Sequence, residues 1–178
     1  MRFTNAFLLA TLASASSTIY SEILLQDIEY AIETFSSRMI QNRQDINIDK
    51  VMTAVSELAP QLQVSVDELE KSKISGSEHN KNLLALGRSF HGTGRFIRVN
   101  VVTKKPMVQA HGRCQDMERA IDDIQVQFYR LGLYINGTVA AEDTANVSSY
   151  TEKILGELNI AKGEFTKDKC FNAKPSST

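Results

Sequence analysis

The sequence predicts an all-α fold, an antiparallel bundle of four or five helices. Three observations carry this. There are only 3 prolines and 9 glycines in 178 residues, too few to punctuate a many-turned β fold. Apolar residues recur at i, i+3, i+4 and i+7 in one segment after another, the spacing of a one-sided helix. One of these segments also sustains a four-and-three heptad seam, the strongest periodic signal in the chain. The length suits one domain. The composition, 42% apolar and 23% charged, is that of an ordinary globular protein.

The chain opens with what reads as a secretory signal peptide over residues 1–15. Arg2 supplies the positive start, and Ala6 to Leu12 form an apolar stretch too short to span a bilayer. Ala13-Ser14-Ala15 is the small-x-small pattern for cleavage, expected after Ala15 with Ser17 as the alternative. Residues 16–178 then form a single bundle domain. Neither a second long apolar stretch nor a hydrophobic C-terminal tail follows, so no transmembrane or GPI anchor is expected.

The first helix is expected from about Ser21 to Arg43, with Leu24, Ile28, Ala31, Ile32, Phe35 and Met39 on its apolar face and polar Asn42 to Asn47 ending it. The second begins after Asn47 or Asp49, either of which can cap exposed amides. Its stripe is Val51, Val55, Leu58, Leu62, Val66 and Leu69, and Pro60 within it should kink or divide the helix. The third carries Leu83, Leu86, Phe90, Ile97 and Val101. Gly87, Gly92 and Gly94 weaken it by about 1 kcal/mol each relative to Ala. Its β-branched Phe96–Val102 stretch has no partner strand elsewhere, so helix is the better reading.

The fourth helix should start near Pro106, a residue suited to a first turn. It carries the heptad seam Ala110, Cys114, Met117, Ile121, Ile124, Phe128, Leu131 and Ile135, and Asn136-Gly137 ends it. The fifth should start near Ser149, where Ser149-x-x-Glu152 has the capping-box pattern. Tyr150, Ile154, Leu158, Ala161 and Phe165 line it to about Cys170 and Phe171. A short connection makes these last two helices antiparallel neighbours. Cys114 lies 21 residues before Ile135 and Cys170 lies 21 residues after Ser149, so the two cysteines should meet at one height. A Cys114–Cys170 disulfide is expected, as suits an oxidising compartment. Asn136-Gly137-Thr138 and Asn146-Val147-Ser148 are N-glycosylation sequons, both read as lying in the connecting loop.

The chemistry-bearing residues are sparse. A net charge of −1 and a pI near 6.3 argue against nucleic acid as a partner and against simple docking on anionic lipid. His79, His91 and His111 are scattered without metal-ligand spacing, and a surface or helix-end place is expected for each. No nucleophile elbow, phosphate loop or CxxC is present. Acidic pairs such as Asp122-Asp123 read as solvated faces. Hence no catalytic, cofactor-binding or metal-binding residue is expected. What remains is apolar surface. Phe35, Met39, Phe90, Met117 and Phe128 are the bulky or flexible residues that could line a cavity for an acyl chain, with a filled core as the plainer alternative.

Between Ile19 and Phe171 the arrangement resembles a fungal family of secreted proteins. These are the hydrophobic surface-binding protein A and cell wall mannoprotein family. A segment like Ile23-Leu24-Leu25-Gln26-Asp27-Ile28-Glu29 follows the leader, and amphipathic helices without enzyme motifs come after it. The resemblance implies a five-helix bundle that binds hydrophobic surfaces, or fatty acids in an internal tunnel. The chain departs from the family in its two cysteines and in the basic third segment, with Arg88, Arg95, Arg98, Lys104 and Lys105. Two functions therefore compete. One is a secreted, non-enzymatic protein of the cell wall or medium that binds lipids or hydrophobic surfaces. The other is a secreted protein–protein module, such as an inhibitor, toxin subunit or effector, with the Arg88–Lys105 strip as its candidate face.

Overall fold

A computed structural model describes residues 4–41, 47–72 and 77–172, with side chains described from residue 22 onward except at Ser77 and Glu78. Among them the chain forms six helices: α1 (Thr4–Gln41), α2 (Ile48–Ser72), α3 (Ser77–Val102), the short α4 (Lys105–Ala110), α5 (Cys114–Thr138) and α6 (Thr144–Gly163). The fold is all-α, as the periodicity requires. The first turns of α1 include part of the segment read as a leader.

Each long helix exists because its stripe needs cover. On α2, Val51, Val55, Leu58, Leu62, Val66 and Leu69 are each no more than 1% exposed. Asn47 is the residue that caps α2. Its Oδ1 accepts from the Asp49 and Lys50 amides at 2.9 and 3.3 Å. Of the two outcomes expected at Pro60, a kink or a division, α2 is not divided and runs unbroken from Ile48 to Ser72. Pro60 lies on the exposed face, so the carbonyl one turn earlier that loses its helical donor can turn to water. The Phe96–Val102 stretch is helical, and α3 presents Leu83, Leu86, Phe90, Ile97 and Val101 to the core.

The expected fourth helix is two. Gly112 adopts a left-handed φ of 69° and separates α4 from α5. Ala110, counted in the heptad seam, is exposed on α4, and the seam proper begins at Cys114. The fifth helix starts earlier than its capping-box pattern suggests, at Thr144, and stops at Gly163. Ser149 and Glu152 thus lie inside it. Residues 164–170 form turns, not a continuation of the helix.

The long helices touch in the closed order α1–α2–α5–α6–α3–α1, and α3 also reaches α5. Helices α5 and α6 are antiparallel: Gly132 faces Thr151 and Asp122 pairs with Lys162. Helices α3 and α6 run parallel, with Gly94 against Ile154, Arg98 against Glu157, and Lys105 just past α3 against Glu164. Stripes from all five helices merge into one apolar core along the axis of the ring. Val108 of α4 is fully buried at one end. The Cys114–Cys170 disulfide, with a Cα–Cα distance of 5.8 Å, lies at the same end.

The α3–α6 contact depends on Gly94. A Cβ there would lie 3.0 Å from Ile154 Cγ1 and 3.1 Å from the Ile154 Cα. Gly92, two residues away, is exposed with nothing within 4 Å of such an atom. Opposite outcomes are expected. Gly94→Leu should cost about 1–3 kcal/mol by forcing the helices apart. Gly92→Ala should add up to about 1 kcal/mol through helix propensity. Urea unfolding of both variants checks this, and equal shifts of one sign would contradict the close approach.

Candidate ligand-binding site

A closed cycle of five helices encloses an axis, and what fills that axis decides what the ring can hold. Four of the five expected lining residues, Met39, Phe90, Met117 and Phe128, have no exposure, and Phe35 has 2%. They come from α1, α3 and α5. The structure joins two of them directly: Phe90 and Phe128 meet edge to face at 5.4 Å, halfway along the bundle. Phe35 instead meets Phe96 of α3, at 6.2 Å. Met39 and Met117 are buried toward the α4 end. The interior is therefore apolar and is occupied by rings and flexible thioethers, groups able to change rotamer around a guest.

The far end of the ring differs. His79 lies one turn before Leu83 on the same buried stripe of α3 and is only 2% exposed. Its Nε2 is 3.3 Å from the Tyr134 hydroxyl of α5, and the two rings meet edge to face. Its Nδ1 is buried without a partner among the described residues, as is Oδ1 of neighbouring Asn80. Burial pushes the His79 imidazole below its ordinary pKa by disfavouring its charged form. A surface or helix-end place was expected for His79; it lies in the first turn of α3 but is buried, not on the surface. The signal available was its register, four residues before Leu83. His91 and His111 are exposed.

Other features support the ring without entering it. Arg130 of α5 clamps α2, donating from Nη2 to Asp67 Oδ1 and Glu70 Oε2 at 2.6 Å each. The Glu70 and Asp67 hydrogen bonds raise its pKa further above its ordinary value. The basic strip of the third segment is partly neutralised. Arg98 pairs with Glu157 at 2.5 Å and Lys105 with Glu164 at 2.9 Å, while Arg88 and Arg95 are exposed. A cleft of about 610 Å³ beside the α1–α2 connection is bordered by Arg38, Asp49, Lys50 and Glu57, too charged for an acyl chain. No group of His, Cys, Asp or Glu that could hold a metal occurs among the described residues. Nor is any helix among them long and apolar enough to cross a membrane.

The sequons do not share a loop. Asn136 is in α5, half-buried, with its Oδ1 buried and without a partner among the described residues, and Asn146 is exposed in the first turn of α6. The connection is shorter than expected because both flanking helices extend into it.

Fold and interior together define a class: a closed ring of amphipathic helices around a mainly apolar core, with buried polar residues toward both ends, His79 at one and Asn100 at the other. Two solved structures share this fold. Ligand-binding domain 1 of the Penicillium marneffei MP1 protein, complexed with arachidonic acids, matches with a TM-score of 0.62 at 13% identity, over 80% of this chain and 99% of that one. Ligand-binding domain 2 of the same protein, complexed with multiple arachidonic acids, matches at 0.68 and 17% identity, over 84% and 96%. At such identities the likeness is one of fold. MP1 is a fungal mannoprotein, so the likeness supports, at the level of fold, the resemblance drawn from the sequence. No family model matches the chain. No curated protein matches it either.

Proposed function

We propose that this protein is a secreted, non-enzymatic binder of fatty acids or related lipids, held along the axis of the helical ring. The observation that carries the reading is the ring itself, with an interior lined by Phe90, Phe128, Met39 and Met117. Each methylene taken from water into such an interior contributes about 0.8 kcal/mol. A long acyl chain therefore gains on the order of 10 kcal/mol gross, enough to repack a core of thioethers and rings. The arachidonic acids of the two MP1 domains lend support by analogy of fold.

The leader reading over residues 1–15, the disulfide and the exposed Asn146 sequon support an extracellular or cell-wall location, with a glycan on Asn146. Asn136 is the poorer acceptor, since a glycosylated side chain has to leave the protein surface.

Native purification, organic extraction and mass spectrometry test the proposal. A stoichiometric fatty acid or sterol is the expected result. A lipid-free protein that also fails to bind a fluorescent fatty acid would overturn it. The protein–protein reading then gains, and one observation favours it: Val126, Tyr129 and Leu133 are about half exposed along one face of α5.

A further inference from the structure

We infer that His79 and Tyr134 form the carboxyl-binding end of the interior, so that a fatty acid enters with its acid group at this end and its tail toward α4. The inference rests on the carrier reading above and adds the ligand's orientation and head-group chemistry to it.

Buried polar groups in folded proteins almost always have partners, and an orphan needs an explanation. Among the described residues, His79 Nδ1 is buried and has no partner. His79 is not a stray surface residue. It continues the stripe of Leu83, Leu86, Phe90, Ile97 and Val101 by one turn, on the face that α3 turns to the core. A leucine there would cost nothing to solvate. A histidine leaves an unmet hydrogen bond at the end of an apolar interior, where a ligand's polar group would complete it.

The chemistry that fits is a carboxyl. Nε2 is engaged with the Tyr134 hydroxyl at 3.3 Å. If Tyr134 donates, Nδ1 carries the ring proton and offers it to a carboxylate oxygen. If Nε2–H donates to Tyr134 instead, Nδ1 is the acceptor and takes the O–H of a protonated acid. A carboxyl serves either tautomer. A lysine would bind the head group more strongly but would itself have to be desolvated. A neutral imidazole avoids that cost. The dimensions agree. From His79 to Val101 the helix rises about 33 Å, and Phe90 lies about 16 Å along it. A long chain anchored at His79 thus has to pass the Phe90–Phe128 pair.

The test compares palmitic acid with methyl palmitate, by displacement of a fluorescent fatty acid from delipidated protein. Wild type is expected to prefer the acid by about tenfold, the value of one hydrogen bond to a charged or acidic group. His79→Leu should abolish the preference while binding the ester as wild type does. It should also unfold at an equal or higher temperature, because an orphan polar group is gone. Tyr134→Phe should reduce the preference part-way, and His79→Gln, which keeps a polar head, should retain some of it. The ¹³C-carboxyl resonance of bound palmitic acid should shift between wild type and His79→Leu. An undiminished acid preference and an unmoved resonance in His79→Leu and Tyr134→Phe would overturn the head-group assignment while leaving the carrier intact. Failure of every form to bind either lipid would overturn the carrier reading, and this inference with it.

Discussion

Replacing Cys114 and Cys170 by serine is expected to lower the unfolding free energy by about 4 kcal/mol, and the melting temperature by about 10 °C. The first part of the argument is the unfolded chain. The crosslink joins residues 56 apart, and closing so long a loop removes much of the conformational freedom of the unfolded ensemble. The second part is local. Arg113, the cap residue of α5, makes no side-chain cap bond. The Cys114 amide is satisfied from elsewhere, by Asn172 Oδ1 at 3.2 Å. The segment after α6 thus caps α5, and the disulfide two residues earlier holds it there. Within that segment the Cys170 amide bonds Thr166 O at 2.8 Å, and Phe165 is fully buried. Losing the crosslink loosens all three contacts. Helicity should change little in the native state, because the five long helices keep their core. Thermal and urea unfolding of the double-serine variant check this. A shift under about 1 kcal/mol would mean that packing of the 164–172 segment already restrains the chain without the bond.

The cysteine pairing was legible, although part of the reasoning behind it was not. Equal residue counts along two antiparallel helices placed the cysteines at one height. In the structure α6 ends at Gly163 and the chain reaches Cys170 through turns, yet the heights still agree. The stripes of α1, α2, α3 and α5 were legible because burial imposes a helical period on them. The break before α5 was hidden by a coincidence: Ala110 lies four residues before Cys114 and extends the seam by one false member. The His111-Gly112 step was the contrary signal, since glycine just past a helix end is the usual left-handed stop. Pro60 leaves α2 undivided, because its cost depends on which face it occupies.

What sequence periodicity does not carry is which stripe meets which. The parallel contact of α3 and α6 depends on the α4 crossover and on the small side of α3 at Gly94. Neither feature leaves a period in the sequence. Phe35, Met39, Phe90, Met117 and Phe128 are all buried, but only the structure pairs Phe90 with Phe128 and sets Phe35 against Phe96. His79 escaped notice because a lone polar residue ahead of an apolar stripe reads as a helix start.

Phe128→Ala is expected to destabilise the ligand-free protein by about 3–5 kcal/mol, the usual loss for a fully buried phenylalanine. The same change should strengthen fatty-acid binding. These two effects have one cause. Phe128 and Phe90, both fully buried at mid-height, hold each other in an edge-to-face contact worth about 0.5–1.5 kcal/mol beyond their burial. A chain running the length of the interior must break that contact and move at least one ring. In the variant the space is already open, so the guest gains its burial without that cost. Added palmitic acid should therefore raise the melting temperature of Phe128→Ala more than that of wild type, since a ligand stabilises in proportion to the logarithm of its occupancy ratio. Leu62→Ala is the control. Leu62 is as buried on α2 but is not part of the ring pair, so the loss of stability should come without the larger rescue. Equal rescue of the two variants would make Phe90 and Phe128 ordinary core. A larger rescue of Phe128→Ala makes the pair a barrier that a bound acyl chain has to displace, and ties the stability of the delipidated protein directly to lipid binding.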